Sequence, residues 1–464
     1  MVQDKAEPIE FFLDHAIAHA TKQGADLLIA YGVASLENQI RFSQNKIDIN
    51  KQWRSDELQY IIVVDGNRLA TGNFSPTSET HLRSEIDDAI KFARKIEPSS
   101  LFKGVEDDPT KRYRTIERLY DSRIDDFIVE SPELVNSAIN MAINAGSKRV
   151  AGFLVAGKRK KALISSAGPK GDFSSTYYHF YVRAFQDILE ESGQGFSSGC
   201  ILDKVSDEFQ KAGETAGRFS KAHHGCVQGK PGTYDLIISP AVAANILGGV
   251  LALANPLYIM MGRSPFQDKV GEQLTPDYIQ VSDNGILEDG LQSAPFDAEG
   301  SPCQNTPIIK NGVLVGFIHN TSSARLLGAE TTGNSKLVGF YGPAKFLAPA
   351  TTNLEFAAGD HDFDALLEGS KPTIYVTGTW YSRFTSVTTT DFSSIPRDAM
   401  FYVEDGELSQ PIKNIRISDN VLRMMQNIVA ASKERQQAKW FEDTFPTLAP
   451  HIKIEDCRIT AATK

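Results

Sequence analysis

At 464 residues the chain is longer than one ordinary domain, which suggests two or three, and it can bury a large core. Hydrophobic residues make up 41% and charged residues 23%, ordinary for a soluble globular protein. The net charge of −10, from 48 basic against 58 acidic side chains, argues against nucleic acid or an anionic membrane surface as the main partner.

Cys200, Cys226, Cys303 and Cys457 lie far apart with no CxxC pair, which reads as reduced thiols in a cytosolic protein. Met1 to Lys5 lack a basic stretch followed by an apolar one, so no signal peptide is expected. The most apolar window, 241–253, is too short to span a bilayer and is broken by Asn245 and two glycines. A cytoplasmic location is the expectation.

Ile9, Phe12, Leu13, Ala16, Ile17 and Ala20 recur at helical spacing until Gly24, which predicts an amphipathic helix. His15 and His19 lie one turn apart in it, a spacing that suits metal, but no third ligand stands nearby. Residues 25–34 and 37–43 read as strands, and 58–64 with 68–74 as a hairpin about Asp65-Gly66-Asn67. Leu82, Ile86, Ala89, Ile90 and Ala93 mark a second helix, and 98–114 a polar surface connection. Ser131-Pro132 offers the N-cap and first-turn proline of a third helix that stops at Gly146.

Strands are expected over 149–156, 161–166 and 176–186, so the basic run Lys158-Arg159-Lys160-Lys161 reads as a solvated hairpin tip. Residues 193–199 read as a glycine- and serine-rich loop, not a phosphate loop, because no Gly-Lys-Ser or Gly-Lys-Thr follows. A helix over 203–222 closes at His223-His224-Gly225, and Gly229-Lys230-Pro231-Gly232 marks a domain boundary after residue 228.

A buried strand is expected over 234–239, and Pro240 opens a helix. The densest turn chemistry lies over 281–334. Phe296-Asp297-Ala298-Glu299-Gly300 places two carboxylates two residues apart, on one face if the backbone is extended. Asn311-Gly312 suits a type I′ turn between strands 307–310 and 313–318. Asn320-Thr321-Ser322-Ser323 supplies caps for a short helix to Leu327, and Thr332-Gly333-Asn334 breaks the chain again. Strands over 353–357, 373–381, 386–390 and 399–404, a turn at Asp405-Gly406 and a helix over 421–432 complete the reading.

The order Ser-Asp-x-Gly at 282–285, Phe-Asp-x-Glu-Gly at 296–300, the hairpin Ile309-x-x-Gly312-Val313-Leu314-x-x-x-Ile318, the Ser323-Ala324-x-x-Leu327-Gly328 helix and Thr332-Gly333-Asn334 resembles the TldD/PmbA family. The resemblance extends over most of the chain and is strongest over 232–407. It implies kinship with proteins first described as modulators of DNA gyrase and regarded as zinc-dependent peptidases and their partner subunits. In catalytic members, the resemblance implies, a helix after the first strand of the C-terminal domain carries H-E-x-x-x-H. Its histidines hold zinc and its glutamate activates a water. Here that helix reads Ala241 to Leu251, AVAANILGGVL, with neither residue type. No histidine falls between His224 and His319, and no His-Glu dipeptide occurs in the chain. Asp391-Phe392-Ser393 also resembles the TldE/PmbA branch, which lacks the zinc motif.

The remaining site candidates are Asp297 and Glu299 as paired carboxylates, with Gly300, His319 and Asn334 beside them at a cleft. Cys303 has no histidine next to it in sequence, and His223, His224 and Cys226 lack a fourth zinc ligand. The expected fold is α+β: an N-terminal helix plus antiparallel-sheet domain over 1–228, and a β-rich, barrel-like or sandwich-like C-terminal domain over 229–464. The expected function is a TldE/PmbA-like subunit of a cytosolic TldD-type metalloprotease system acting on unfolded or small peptides. It has no catalytic residue, metal or cofactor of its own. Its partner is a TldD-like zinc-bearing subunit or a second copy, and its ligand an extended peptide, with no nucleic acid and no membrane. The rivals are a homodimeric peptide-binding scaffold without proteolytic role, and a peptidase using Asp297 and Glu299 or a cysteine.

Overall fold

Ile9, Phe12, Leu13, Ala16 and Ala20 form one buried stripe along helix α1 (Ile9–Lys22), and that stripe packs on the first sheet. The computed structural model describes residues 8–339, 345–439 and 443–461; the Met1 to Lys5 stretch read for a leader lies outside them. Strands β1 (Leu27–Ser43), β2 (Lys46–Val64) and β3 (Arg68–Phe74) follow, then helices α2 (Glu79–Ala93) and α3 (Ile124–Asn144). Next come β4 (Arg149–Ser165), β5 (Lys170–Phe185), β6 (Ser192–Gly199) and helix α4 (Val205–Ala222). The six strands make one antiparallel sheet in the order β3-β2-β1-β4-β5-β6. Alternation gives it two faces. Leu28, Ala30, Ile40, Leu154 and Phe180 meet the four helices, whereas Ile29, Leu163 and Phe173 point the other way.

Four expectations for this half are corrected. Strand β1 is unbroken, because its middle is paired on both sides, Ser35 with Ser55 of β2 and Arg159 of β4. Strand β4 is likewise unbroken, so the basic run lies mid-strand instead of at a hairpin tip. Alternation sends Lys158 to Asp125 and Lys160 to Glu10 on the helical side, and Arg159 and Lys161 to the other face. Helix α3 starts at Ile124, whose burial with Phe127 and Ile128 extends the apolar stripe upstream. Ser131 therefore sits inside the helix, its hydroxyl donating to Ile128 O, with Pro132 following. The expected loop at 193–199 is strand β6: a side chain at Gly193 or Gly195 would collide with Ala216 O or Ala212 O of α4. Those glycines serve close helix–strand approach.

The C-terminal half begins with β7 (Val227–Gln228) and β8 (Gly232–Ile238), then a short helix α5 (Pro240–Ala243), a π-helical turn at Ala244–Gly248, α6 (Gly249–Leu251) and α7 (Pro256–Met260). Strands β9 (Val281–Asn284), β10 (Asn305–Lys310) and β11 (Val313–Leu314) precede helix α8 (Thr321–Leu327). Strands β12 (Ser335–Val338), β13 (Phe346–Pro349) and β14 (Leu354–Phe356) lead to α9 (Phe363–Leu367). Then β15 (Thr373–Ser386), β16 (Asp391–Glu404), β17 (Glu407–Lys413), β18 (Ile415–Asn420), α10 (Val421–Gln426), β19 (Ile428–Ala438) and β20 (Thr447–Ala461) close the chain.

In the twelve-stranded C-terminal sheet, β8 lies between parallel β15 and antiparallel β20. The expected α+β class, with a helix and antiparallel sheet first and a β-rich part after, is what the structure shows. The Asn311-Gly312 hairpin forms with both residues at positive φ, 50° and 75°, but its return strand ends at Leu314. Residues 387–390 turn instead of extending, with Thr390 at φ 62°. The helix expected over 421–432 stops at Gln426, because Ile428 onward pairs with β20. Among the described residues, no helix is long and apolar enough to cross a membrane.

Candidate functional site

The Phe-Asp-x-Glu-Gly element is a buried polar knot. Phe296 is buried between Tyr113 and Phe173, at ring-centroid distances of 4.7 and 5.3 Å, and so docks this loop into the N-terminal half. Beyond it the backbone turns, which corrects the expected extended pair. Asp297 Oδ1 accepts the amides of Glu299 and Ser301, both at 2.9 Å, and Oδ2 accepts that of Ser335 at 2.8 Å. Glu299 accepts from Asn320 Nδ2 and from the Thr321 amide, both at 3.2 Å, at the start of α8. Gly300 has φ 84°, and its carbonyl accepts the Tyr113 hydroxyl at 2.9 Å.

Asn334 Nδ2 donates to buried Asp283 at 2.7 Å, and Asp283 also takes the Thr352 amide and hydroxyl. His319 Nδ1 lies 3.3 Å from the Ser323 hydroxyl, and burial lowers its pKa to about 4, so the ring is neutral. Burial raises the pKa of both Asp297 and Glu299, and Glu299's charge raises that of Asp297 further. The structure thus brings Asp297, Glu299, Gly300, His319 and Asn334 together. Their polar atoms bond backbone amides and the side chains of Tyr113, Asp283, Asn320 and Ser323, which fastens several loops into one unit. None of the five lines either of the two clefts below.

The first cleft lies at the helix after β8. Ser239 caps it, Pro240 fills its first turn, and the ladder then widens to the π-turn, a feature that recurs at functional sites. Val242, Ile246, Leu247, Val250 and Leu251 are fully buried, leaving Asn245 as the polar side chain that the turn presents. Asn245 Oδ1 accepts the Thr379 hydroxyl at 3.2 Å and that of Ser382, and Nδ2 donates to Asp443 at 3.2 Å. Tyr181, Gln194, Phe196, Trp380 and Lys439 help enclose a cavity of about 20 Å³ beside it, room for one water.

The second cleft is far larger, about 690 Å³, and runs between the two halves. One wall is β6 with α4, and the opposite wall includes β19, Tyr375 and His451. Strand β6 is the outermost of its sheet, and β19 pairs with β20 on one side and, at Ser432, bridges His361 on the other. Across the gap Gln436 Nε2 donates to Phe196 O at 2.7 Å, Gln437 Nε2 to Ser198 O at 3.3 Å, and the Ser198 hydroxyl to Gln437 O at 2.8 Å. Glu208 faces the cleft and takes the hydroxyls of Tyr178 and Ser197, both at 2.6 Å.

The other candidates fall apart in space or in chemistry. Cys303 is buried, its thiol 3.2 Å from Gly333 O, and burial followed by Asp297's charge pushes its pKa well up, so it stays a thiol rather than a nucleophilic thiolate. Both ring nitrogens of buried His223 meet carbonyls, those of Glu190 and Ile412, while His224 pairs with Glu191. His15 bonds Phe11 O and His19 bonds Asp87, so the pair does not converge. Among the described residues, no group of three or more His, Cys, Asp and Glu side chains is placed to hold a metal ion. Sequence reasoning met Asn245 only as a break in an apolar run, which was itself the signal. It met Asp283 in the Ser-Asp-x-Gly run at 282–285 but did not single it out as a site residue, because its burial depends on Asn334 and Thr352 from distant segments.

Residues 231–461 match the family described as the PmbA/TldA metallopeptidase C-terminal domain. A metalloprotease of Methanocaldococcus jannaschii is 24% identical over 432 residues, covering 88% of this chain and 90% of that protein. A metalloprotease PmbA homologue of Haemophilus influenzae is 22% identical over 433 residues, 90% of each. TldE from Thermococcus kodakarensis superposes with a TM-score of 0.82 at 18% identity, covering 97% of this chain and all of that one. A Thermotoga maritima protein described as a candidate modulator of a DNA gyrase gives 0.82 at 21% identity, covering 98% and 100%. At those identities the structures share the fold.

Proposed function

The chain belongs to the PmbA/TldD family of metallopeptidases, and from that premise we propose that it is the zinc-less, TldE/PmbA-like subunit of a TldD-type system that holds unfolded or small peptides. The observation that carries this reading is Asn245. It stands on the π-turn of the helix after β8, in contact with Thr379, Ser382 and Asp443. One amide, two hydroxyls and one carboxylate are a poor donor set for zinc, which favours thiolate, imidazole and carboxylate in tetrahedral array. The residues present therefore do not fit the metal, and the zinc and its general base belong to a TldD-like partner chain.

What this chain contributes is an enclosure. The cleft between β6 and β19 is long, polar-walled and flanked by strand edges, which suits an extended peptide held by main-chain hydrogen bonds. The four cysteines, buried and unpaired, agree with work in the cytoplasm. The test is reconstitution: this chain is added to a purified TldD-like partner and cleavage of an unfolded peptide is followed. A mixed complex with faster cleavage is the expected result; partner activity untouched by this chain overturns the reading.

A further inference from the structure

The sheet face turned away from the helices is closed at both ends and open in its middle. At one end Leu27, Ile29 and Leu163 are buried with Phe296, and Leu337 packs against them. At the other, Tyr181 is buried and Arg183 reaches Asp398 of β16. Between these ends Val33, Ser35, Glu37, Arg159, Lys161 and His179 lie on the three central strands yet remain half-buried. Side chains on central strands keep contact with solvent only where the covering layer stands off, so this face holds a trough. Lys161 pairs in register with Phe173 and Val155 with His179, six residues further along β5, so the trough is about 20 Å long, a span of about six extended residues.

The trough is basic within a chain of net charge −10. Among the described residues Lys161 has neither a hydrogen-bond acceptor nor a carboxylate partner; its ammonium group lies 5.5 Å from the Phe173 ring centroid. The Arg159 guanidinium sits 3.8 Å over Tyr177 and 3.8 Å from Glu37. Lys336 comes from the opposite wall, its ammonium donating to Gln292 Oε1 at 2.6 Å and Thr351 O at 2.8 Å, which leaves it one N–H. Burial, then the charges of Arg159 and Lys336, lower the pKa of Lys161 to about 8; Glu37 offsets Arg159 and Asp283 acts on Lys336, so Lys161 is the cation of the three with no carboxylate beside it among the described residues. At the far end the His179 Nδ1 atom is buried without a partner.

We propose that the trough takes the anionic end of an extended peptide, with its carboxylate held by Lys161, Arg159 and Lys336. The inference rests on the peptide-holding reading and adds a direction to it: the chain enters from the side of His179 and ends against the apolar wall of Leu163 and Phe296. A free C-terminus and an Asp or Glu side chain share the carboxylate chemistry, and the closed end favours the terminus.

The test is calorimetry on the full chain with three probes: acetyl-Ala-Ala-Phe-Ala-Ala as the free acid, the same peptide as its C-terminal amide, and the amide with aspartate in last place. The free acid should bind ~10-fold or more tightly than the plain amide, the worth of one charge-assisted hydrogen bond. Lys161→Met should erase that preference and Lys161→Arg should keep it, with both variants checked for an unchanged thermal midpoint. Aspartate amide bound as tightly as the free acid assigns the site to side chains; bound like the plain amide, it assigns the site to the terminus. Equal binding of the free acid and both amides overturns the carboxylate site and leaves the peptide-holding reading standing. No binding by any of the three overturns both.

Discussion

Arg183 of β5 and Asp398 of β16 join the two halves through an ion pair in which both donors converge on one oxygen. Nε and Nη2 lie 2.9 and 2.8 Å from Asp398 Oδ1, while Oδ2 is buried without a hydrogen bond. The carboxylate is fully buried and the arginine side chain is 19% exposed. A buried pair of this kind is expensive to break from one side. Arg183→Met should cost ~3–5 kcal/mol in urea unfolding, because it strands a buried charge. The double variant Arg183→Met with Asp398→Asn should lose less, because no charge remains; a double variant worse than the single one would show that the pair does not act as a unit.

The Asn311-Gly312 turn gives a second prediction. Gly312 has φ 75°, and a side chain there would run into Gln273 Nε2 and Thr275 O. Gly312→Val combines backbone strain with that collision, for a loss of about 1–3 kcal/mol from the strain alone. An unchanged unfolding midpoint would show that the turn tolerates the change and is not built as described.

His319 supplies a pH prediction. Its ordinary value is 6.5, and burial lowers it to about 4 in the folded chain. Between those values the unfolded chain binds more protons, so the stability this residue contributes is present above pH 6.5 and is lost as pH falls toward 4. His319→Gln removes the titration. The stability gap between wild type and variant should therefore narrow from pH 7 to pH 4.5 in matched unfolding curves; a gap that widens contradicts the assignment.

Elemental analysis of the isolated chain should find no stoichiometric zinc, given the Asn245, Thr379, Ser382 and Asp443 environment. About one zinc per chain at an ordered protein site is the contrary result. Sedimentation should find a homodimer that buries at least ~1,200 Å² in total. A strict monomer at micromolar concentration counts against that assembly.

The elements read correctly from sequence are those whose signal is local: the stripe of α1, the Asp65-Gly66-Asn67 and Asn311-Gly312 turns, and Asn320 as a cap with its reciprocal Ser323 bonds. The failures lie where distant partners decide. Lys158 to Lys161 looks like a turn because four cations in a row suit water; β1 and β5 hold it in a strand and split it by alternation. Gly193 and Gly195 look like a loop until α4 is laid against them. Ser131-Pro132 looks like a helix start because the apolar residues upstream carry no cap of their own. Asp297 and Glu299 were visible as a pair. Their burial was not, because the amides that bind them come from Ser335 and Thr321.

The glutamines that bridge the large cleft also bear on aggregation. An outermost strand with idle carbonyls invites another copy to extend the sheet, which is how soluble proteins begin to form fibres. Gln436 and Gln437 occupy two carbonyls of β6 with side-chain amides that mimic a neighbouring strand but cannot propagate one. An arriving peptide displaces those amides rather than water, exchanging like bonds for like. Binding there can then be reversible and indifferent to sequence, while the empty protein stays guarded against its own kind.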